Sequence, residues 1–153
     1  MMESQLNELG RIWDQAGSLV ENLSPGLRVY HSGHIPTMEQ MDDERALWTT
    51  RSEECKTHYV GSAREAVKWS KHAATLLTLA VRRDLKAADF DSVSLLSFTK
   101  TFCNYEHNQM KVALRSWCIR KGFDAIVRLN SDPTEVVLVR PKTSLELVHA
   151  QPL

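Results

Sequence analysis

Glycine-rich loops, cysteine pairs and any excess of charge are missing from this sequence, and each absence closes a class of function. The six glycines stand singly at positions 10, 17, 26, 33, 61 and 122. No GxGxxG or Walker-type loop can be drawn from them, so phosphate binding by a glycine-rich backbone cradle has no support. A GxSxG nucleophile elbow is absent as well. The three cysteines, Cys55, Cys103 and Cys118, form no CxxC pair. Odd thiols without that spacing fit a reducing compartment better than a disulfide scaffold. Lys plus Arg equals Asp plus Glu at 19 each, which gives no electrostatic case for a nucleic-acid or membrane-surface partner. No apolar run approaches the roughly 20 residues that span a bilayer. The opening MMESQLNELGRIWDQ carries early acids and no apolar block, unlike a Sec-type signal. A cytoplasmic protein, or one delivered into a host cytoplasm, is expected, with no membrane partner.

What is present suits one soluble domain. The chain has 153 residues, 42% of them hydrophobic and 25% charged, enough for a single core and short of two typical ones. A single domain over 1–153 is therefore expected. Leu6, Leu9, Ile12, Trp13, Ala16, Val20 and Leu23 step by three and four, which predicts an amphipathic helix over 4–23. Strands are predicted at 27–31, 46–50, 75–83, 123–129, 134–140 and 144–149, with loops at 32–45 and at the NSDP turn. Helices are predicted from Ser52 to about Val60, from Ser62, over SVSLLSFTKTF, and over NQMKVALRSWCIRKG, which Gly122 ends. Helices and strands do not alternate regularly, so the class is α+β and not a doubly wound sheet.

Two spacings are compatible with zinc, His31-x-x-His34 and Cys55-x-x-His58. Both arise readily by chance in a chain with six histidines and three cysteines. No metal ligand is assigned.

Three other segments occur in a telling order: Val-Tyr-His-Ser-Gly at 29–33, Leu-Trp-Thr-Thr at 47–50 with Tyr59 eleven residues beyond Trp48, and Asp-Pro-Thr-Glu at 132–135 opening a strand. Together they resemble the ADP-ribosyltransferase superfamily, in its histidine-tyrosine-glutamate branch, which includes diphtheria toxin and the poly(ADP-ribose) polymerases. The resemblance covers about residues 27–148. It implies two small, mainly antiparallel sheets that form an NAD cleft flanked by helices. It implies Glu135, His31 and Tyr59 as catalytic residues. It also implies that Tyr30, His31, Ser32, Gly33, Trp48, Thr49, Thr50 and Tyr59 bind NAD as co-substrate, with Thr49 facing the cleft. Ser32 stands where the family has glycine, and Trp48 replaces a tyrosine. The other large branch, with Glu-x-Glu, fits less well because Pro133 occupies the position two before Glu135.

The chemistry asks for such residues. Breaking the nicotinamide–ribose bond develops a cationic ribose, for which a carboxylate is the natural stabiliser. Aromatic faces attract the cationic nicotinamide ring. A mono-ADP-ribosyltransferase acting on a macromolecular target, a protein in preference to a nucleic acid, is the leading expectation. An NAD glycohydrolase and a degenerate binding or inhibitor module of the same fold are the alternatives, with a zinc-stabilised interaction domain behind them.

Overall fold

A computed structural model describes residues 11–14, 19–33, 41–53, 75–91, 107–129 and 132–152. Eight strands lie in one sheet: β1 (Val20–Leu23), β2 (Arg28–Gly33), β3 (Leu47–Thr50), β4 (Thr75–Val81), β5 (Leu85–Asp89), β6 (Ala125–Val127), β7 (Glu135–Leu138) and β8 (Leu145–Pro152). Their order across the sheet is β1-β5-β6-β7-β3-β2-β4-β8. All neighbours run antiparallel except β5 and β6. A parallel pair needs a long crossover, and helix α1 (His107–Lys121) lies on that connection. A second, one-turn helix, α2 (Pro141–Ser144), leads into β8.

The α+β class is as expected, but the two-sheet arrangement is not: the strands form a single ladder. That ladder cannot be flat. At about 4.8 Å per strand its edges would stand more than 30 Å apart. Yet one buried cluster draws on all eight strands, from Leu23 of β1 through Val29, Leu47, Leu77, Leu85, Val127 and Leu138 to Leu145 of β8. One face of the sheet is therefore curled around its own core. Arg51, just past β3, also forms an ion pair at 2.9 Å with Glu21 of β1, four strands away.

The outer face of the central strands carries a second cluster under α1. Ile126, Val137 and Val139 meet Met110, Leu114, Trp117 and Cys118. Trp117 stacks on Phe123 with centroids 5.5 Å apart and packs edge-on against Trp13 at 6.2 Å. Its indole N–H donates to Asp14 at 2.7 Å, and this fixes the helical turn at residues 11–14 against α1. Burial pushes the Cys118 thiol up to about 12, which makes it a packing residue and not a nucleophile. Gly122 ends α1 at φ 78°, while Gly122 N–H reaches Ile119 O and Phe123 N–H reaches Cys118 O. These are the two bonds of a Schellman cap, and glycine supplies its left-handed residue without strain.

Several boundaries moved. Residues 20–23 of the predicted N-terminal helix are β1, which pairs with β5 from Val20↔Ala88 to Leu23↔Leu85. A sheet edge offers these residues four backbone partners that a fraying helix end lacks. Residues 4–10 and 15–18 of that helix lie outside the described residues, as do the helices predicted at 54–74 and 92–106. Ser32 and Gly33, predicted as loop, continue β2 opposite Leu76 and Thr75. β5 was not predicted at all. The 123–129 strand shortens to Ala125–Val127, because Arg128 takes φ 57° and leaves the ladder.

Candidate functional site

Register sets the site. Glu135 is the first residue of β7 and pairs with Thr50, which in turn pairs with Tyr30, which pairs with Thr78. Directly opposed residues share a face, so Glu135, Thr50 and Tyr30 form one row across three strands on the outer face. Trp48, opposite Val137, stands diagonally beside Glu135 on the same face. Tyr30 and Thr50 are buried.

The Asp-Pro-Thr-Glu turn delivers Glu135 to that row. Asp132 accepts from the Thr134 N–H at 2.9 Å and from its hydroxyl at 2.8 Å, a local arrangement that competes well with regular structure. The turn is stapled by Arg51, whose N–H donates to Thr134 O at 2.7 Å and whose Nε donates to Pro133 O at 3.1 Å.

Glu135 is half-buried, and its Oε1 is buried without a hydrogen-bond partner. Desolvation, reinforced by the negative charge of Asp132 and opposed by Lys111, raises its pKa to about 7. A buried polar atom with no partner is costly and rare in a structural role. A carboxyl so perturbed is of the kind that acid–base sites use. Ser32 Oγ, also of the Tyr30 face by alternation, is likewise buried without a partner.

A groove of about 460 Å³ lies between β3 and α1, lined by Trp48, Lys111, Arg115, Ser116, Arg45 and Glu44 among others; Glu135, Thr50 and Tyr30 do not line it. This is within the size range of small-molecule sites. Lys111 places its ammonium 4.8 Å from the centre of the Trp48 ring, a cation–π contact. Arg115 braces the groove, donating from Nε to Val139 O at 3.2 Å and from its terminal nitrogen to Asp43 O.

Thr49 lies on the inner face, and its hydroxyl donates to Val136 O at 2.8 Å. Thr50, not Thr49, is therefore the hydroxyl beside Glu135, and it accepts from the Ser52 N–H at 3.2 Å. His31 alternates to the face of Val29, and its Nδ1 lies 2.8 Å from Trp48 O. A carbonyl cannot donate, so Nδ1 carries the proton. The imidazole thereby bridges β2 and β3, whose ladder registers at Tyr30↔Thr50. A Cβ on Gly33 would stand 3.0 Å from His31 Nε2, so a side chain there would require the imidazole to shift by a few tenths of an ångström. Tyr59, His34, Cys55 and His58 lie outside the described residues. Among the described residues no cluster of His, Cys, Asp and Glu could hold a metal, and no helix is long and apolar enough to cross a membrane.

Sequence reasoning missed Lys111, Asp89 and Arg128. Asp89, at the end of β5, is buried and takes a two-point contact from Arg128, Nε to Oδ1 at 3.1 Å and a terminal nitrogen to Oδ2. The guanidinium holds the Asp89 carboxyl below its ordinary value against the opposing effect of burial.

No family model matches the sequence, and no curated protein matches it. Among solved structures the chain is similar to one chain of the M. tuberculosis MbcT–MbcA toxin–antitoxin complex. That likeness has 14% identity and a TM-score of 0.53, and covers 99% of this chain and 93% of that one. At this identity the likeness concerns the fold.

Proposed function

We propose that the chain is an NAD-consuming enzyme that transfers ADP-ribose to a macromolecular target, with Glu135 as its central carboxylate. The observation that carries this reading is the half-buried Glu135, whose Oε1 lacks a partner on a row with Thr50 and Tyr30. An unneutralised carboxylate beside aromatic rings suits a cationic nicotinamide and the cation that develops on its ribose. In the reaction the C1′–nitrogen bond breaks and its electron pair leaves with nicotinamide. Ionised Glu135 stabilises the ribosyl cation at C1′. A nucleophile of the target then bonds C1′ and gives up its proton to solvent or to a carboxylate. Trp48 and Tyr30 are assigned to the ring, Thr50 to the floor beside Glu135, and the Ser32–Gly33 backbone to the carboxamide. Tyr59 keeps the clamp role that the family resemblance implies, while His31, on the opposite face of β2 from Tyr30 and held by Trp48 O, is given no contact with the ligand.

The likeness to a chain of a toxin–antitoxin complex supports a toxin held in check by a protein partner. Hydrolysis is the second reading: a carboxyl titrating at about 7 is well matched to general-base activation of water at neutral pH. Incubation with NAD and a lysate of the target cell tests both. A mass gain of one ADP-ribose on a protein supports transfer, nicotinamide release without any acceptor supports hydrolysis, and neither product rules out NAD chemistry here.

A further inference from the structure

The ladder between β6 and β7 runs from Ala125↔Leu138 to Val127↔Val136. One further step along it, Arg128 would lie opposite Glu135. Alternation would then place the Arg128 side chain on the outer face with Ile126, directly across from the Glu135 carboxylate. An ion pair between them is what an unperturbed strand would make. It does not form: the charges that act on Arg128 are those of Asp89, Glu21 and Asp91. Among the described residues Arg128 is the only non-glycine with positive φ, at 57°. That left-handed turn is disfavoured for a residue with a Cβ, and it throws the guanidinium to the inner face, onto Asp89. Asp89 belongs to that face by its spacing from Leu85 and Ala87. The other guanidinium at this end, Arg51, is held by Glu21 at 2.9 Å.

We propose that Asp89 is a positioning residue: it holds Arg128 in the left-handed turn, keeps that guanidinium off Glu135, and so leaves the carboxylate unneutralised for a cationic ligand. This rests on the reading of Glu135 as the centre of the site. The charged groups that do face Glu135 are Asp132 from the preceding turn and Lys111 from α1. Lys111 sits over the Trp48 ring. A paired Arg128 would cancel the charge that draws the nicotinamide ring and would occupy its place.

Carboxyl-carbon NMR titration of Glu135 in the full chain tests this without reference to activity. Asp89→Asn frees Arg128 to fall back onto Glu135, and the midpoint drops by about one pH unit or more, as for any carboxylate given a close cation. The double variant Asp89→Asn/Arg128→Gln returns to within about half a unit of the wild-type midpoint. Arg128→Gln alone leaves that midpoint where it was, and this arm decides the matter should Asp89→Asn fail to fold. An unmoved midpoint in Asp89→Asn, a double variant that stays low, or a rise of about one unit in Arg128→Gln would each overturn the proposal. A fully active Glu135→Gln enzyme would instead sink the functional reading and leave the titration result standing.

Discussion

Asp89 and Glu135 are carboxylic acids at the ends of strands two places apart in one sheet, and their environments are opposite. Asp89 accepts from Arg128 at both oxygens and from the Asp91 N–H at 3.1 Å, so its pKa is held down. Glu135 has an oxygen with no partner and a pKa raised to about 7. Burial raises both, so the difference comes from the charges and donors around each. A carboxylate that serves the fold is paired, because an unpaired buried charge costs far more than it returns. A carboxylate kept ready for a ligand stays unsatisfied until the ligand arrives, and the fold carries that cost.

The largest effect expected on breaking this contrast is at Glu135. Glu135→Ala should lower nicotinamide release from NAD by about 10²–10³-fold, the loss typical of removing one transition-state stabiliser. Circular dichroism should show an unchanged fold. On the proposed chemistry the ionised form is the active one, so kcat/KM for NAD should rise with pH through about 7 and level off above it. A profile flat from pH 5 to 9 would remove Glu135 from the chemistry.

Next in size is stability at Asp89. Asp89→Ala removes the two-point contact that holds the Arg128 turn, and the melting midpoint should fall by about 5 °C or more. Because the folded-state pKa of Asp89 is depressed, its stabilisation is present above the ordinary aspartate value. It is lost as pH falls through the lower folded value.

Glu135 has the reverse sign. Its raised folded-state pKa means the native protein binds more protons than the unfolded chain between about 4.5 and 7. Stability therefore falls as pH rises through that window. Glu135→Gln should be more stable than wild type at pH 8 by about 1 kcal/mol, after allowance for solvent screening, and the gain should vanish below pH 4.5. Denaturant titrations at the two pH values measure it. A variant with more stability and less turnover would separate the two carboxylates by role.

The smallest effect is at Lys111. Lys111→Ala removes the cation that opposes the rise in Glu135, so the kcat/KM profile should move to higher pH by a few tenths of a unit. An unmoved profile would mean that Lys111 acts through Trp48 alone.

Much of this could be read from the sequence. β2, β3, β4, α1 and the Glu135 strand announce themselves by β-branched or apolar runs, by helical spacing and by the Asp-Pro turn. β1 did not, because Val20 and Leu23 are also three apart and extend the helical stripe of Ile12, Trp13 and Ala16. β5, Leu-Lys-Ala-Ala-Asp, has little strand propensity and is a strand because β1 and β6 flank it. The candidate residues were legible as types, but their faces were not. Only the pairing of Thr50 with Glu135 and Tyr30 shows that Thr50 and not Thr49 is the neighbour. The left-handed turn at Arg128 is a tertiary effect: nothing local favours it, and Asp89, 39 residues away, holds it.

Nicotinamide release by wild type and Glu135→Gln between pH 5 and 9 decides whether ionised Glu135 drives cleavage of the nicotinamide bond. Release should climb through about 7 in the wild type and be nearly lost at every pH in the variant. Equal release by the two proteins, with the same dependence on pH, would contradict that role.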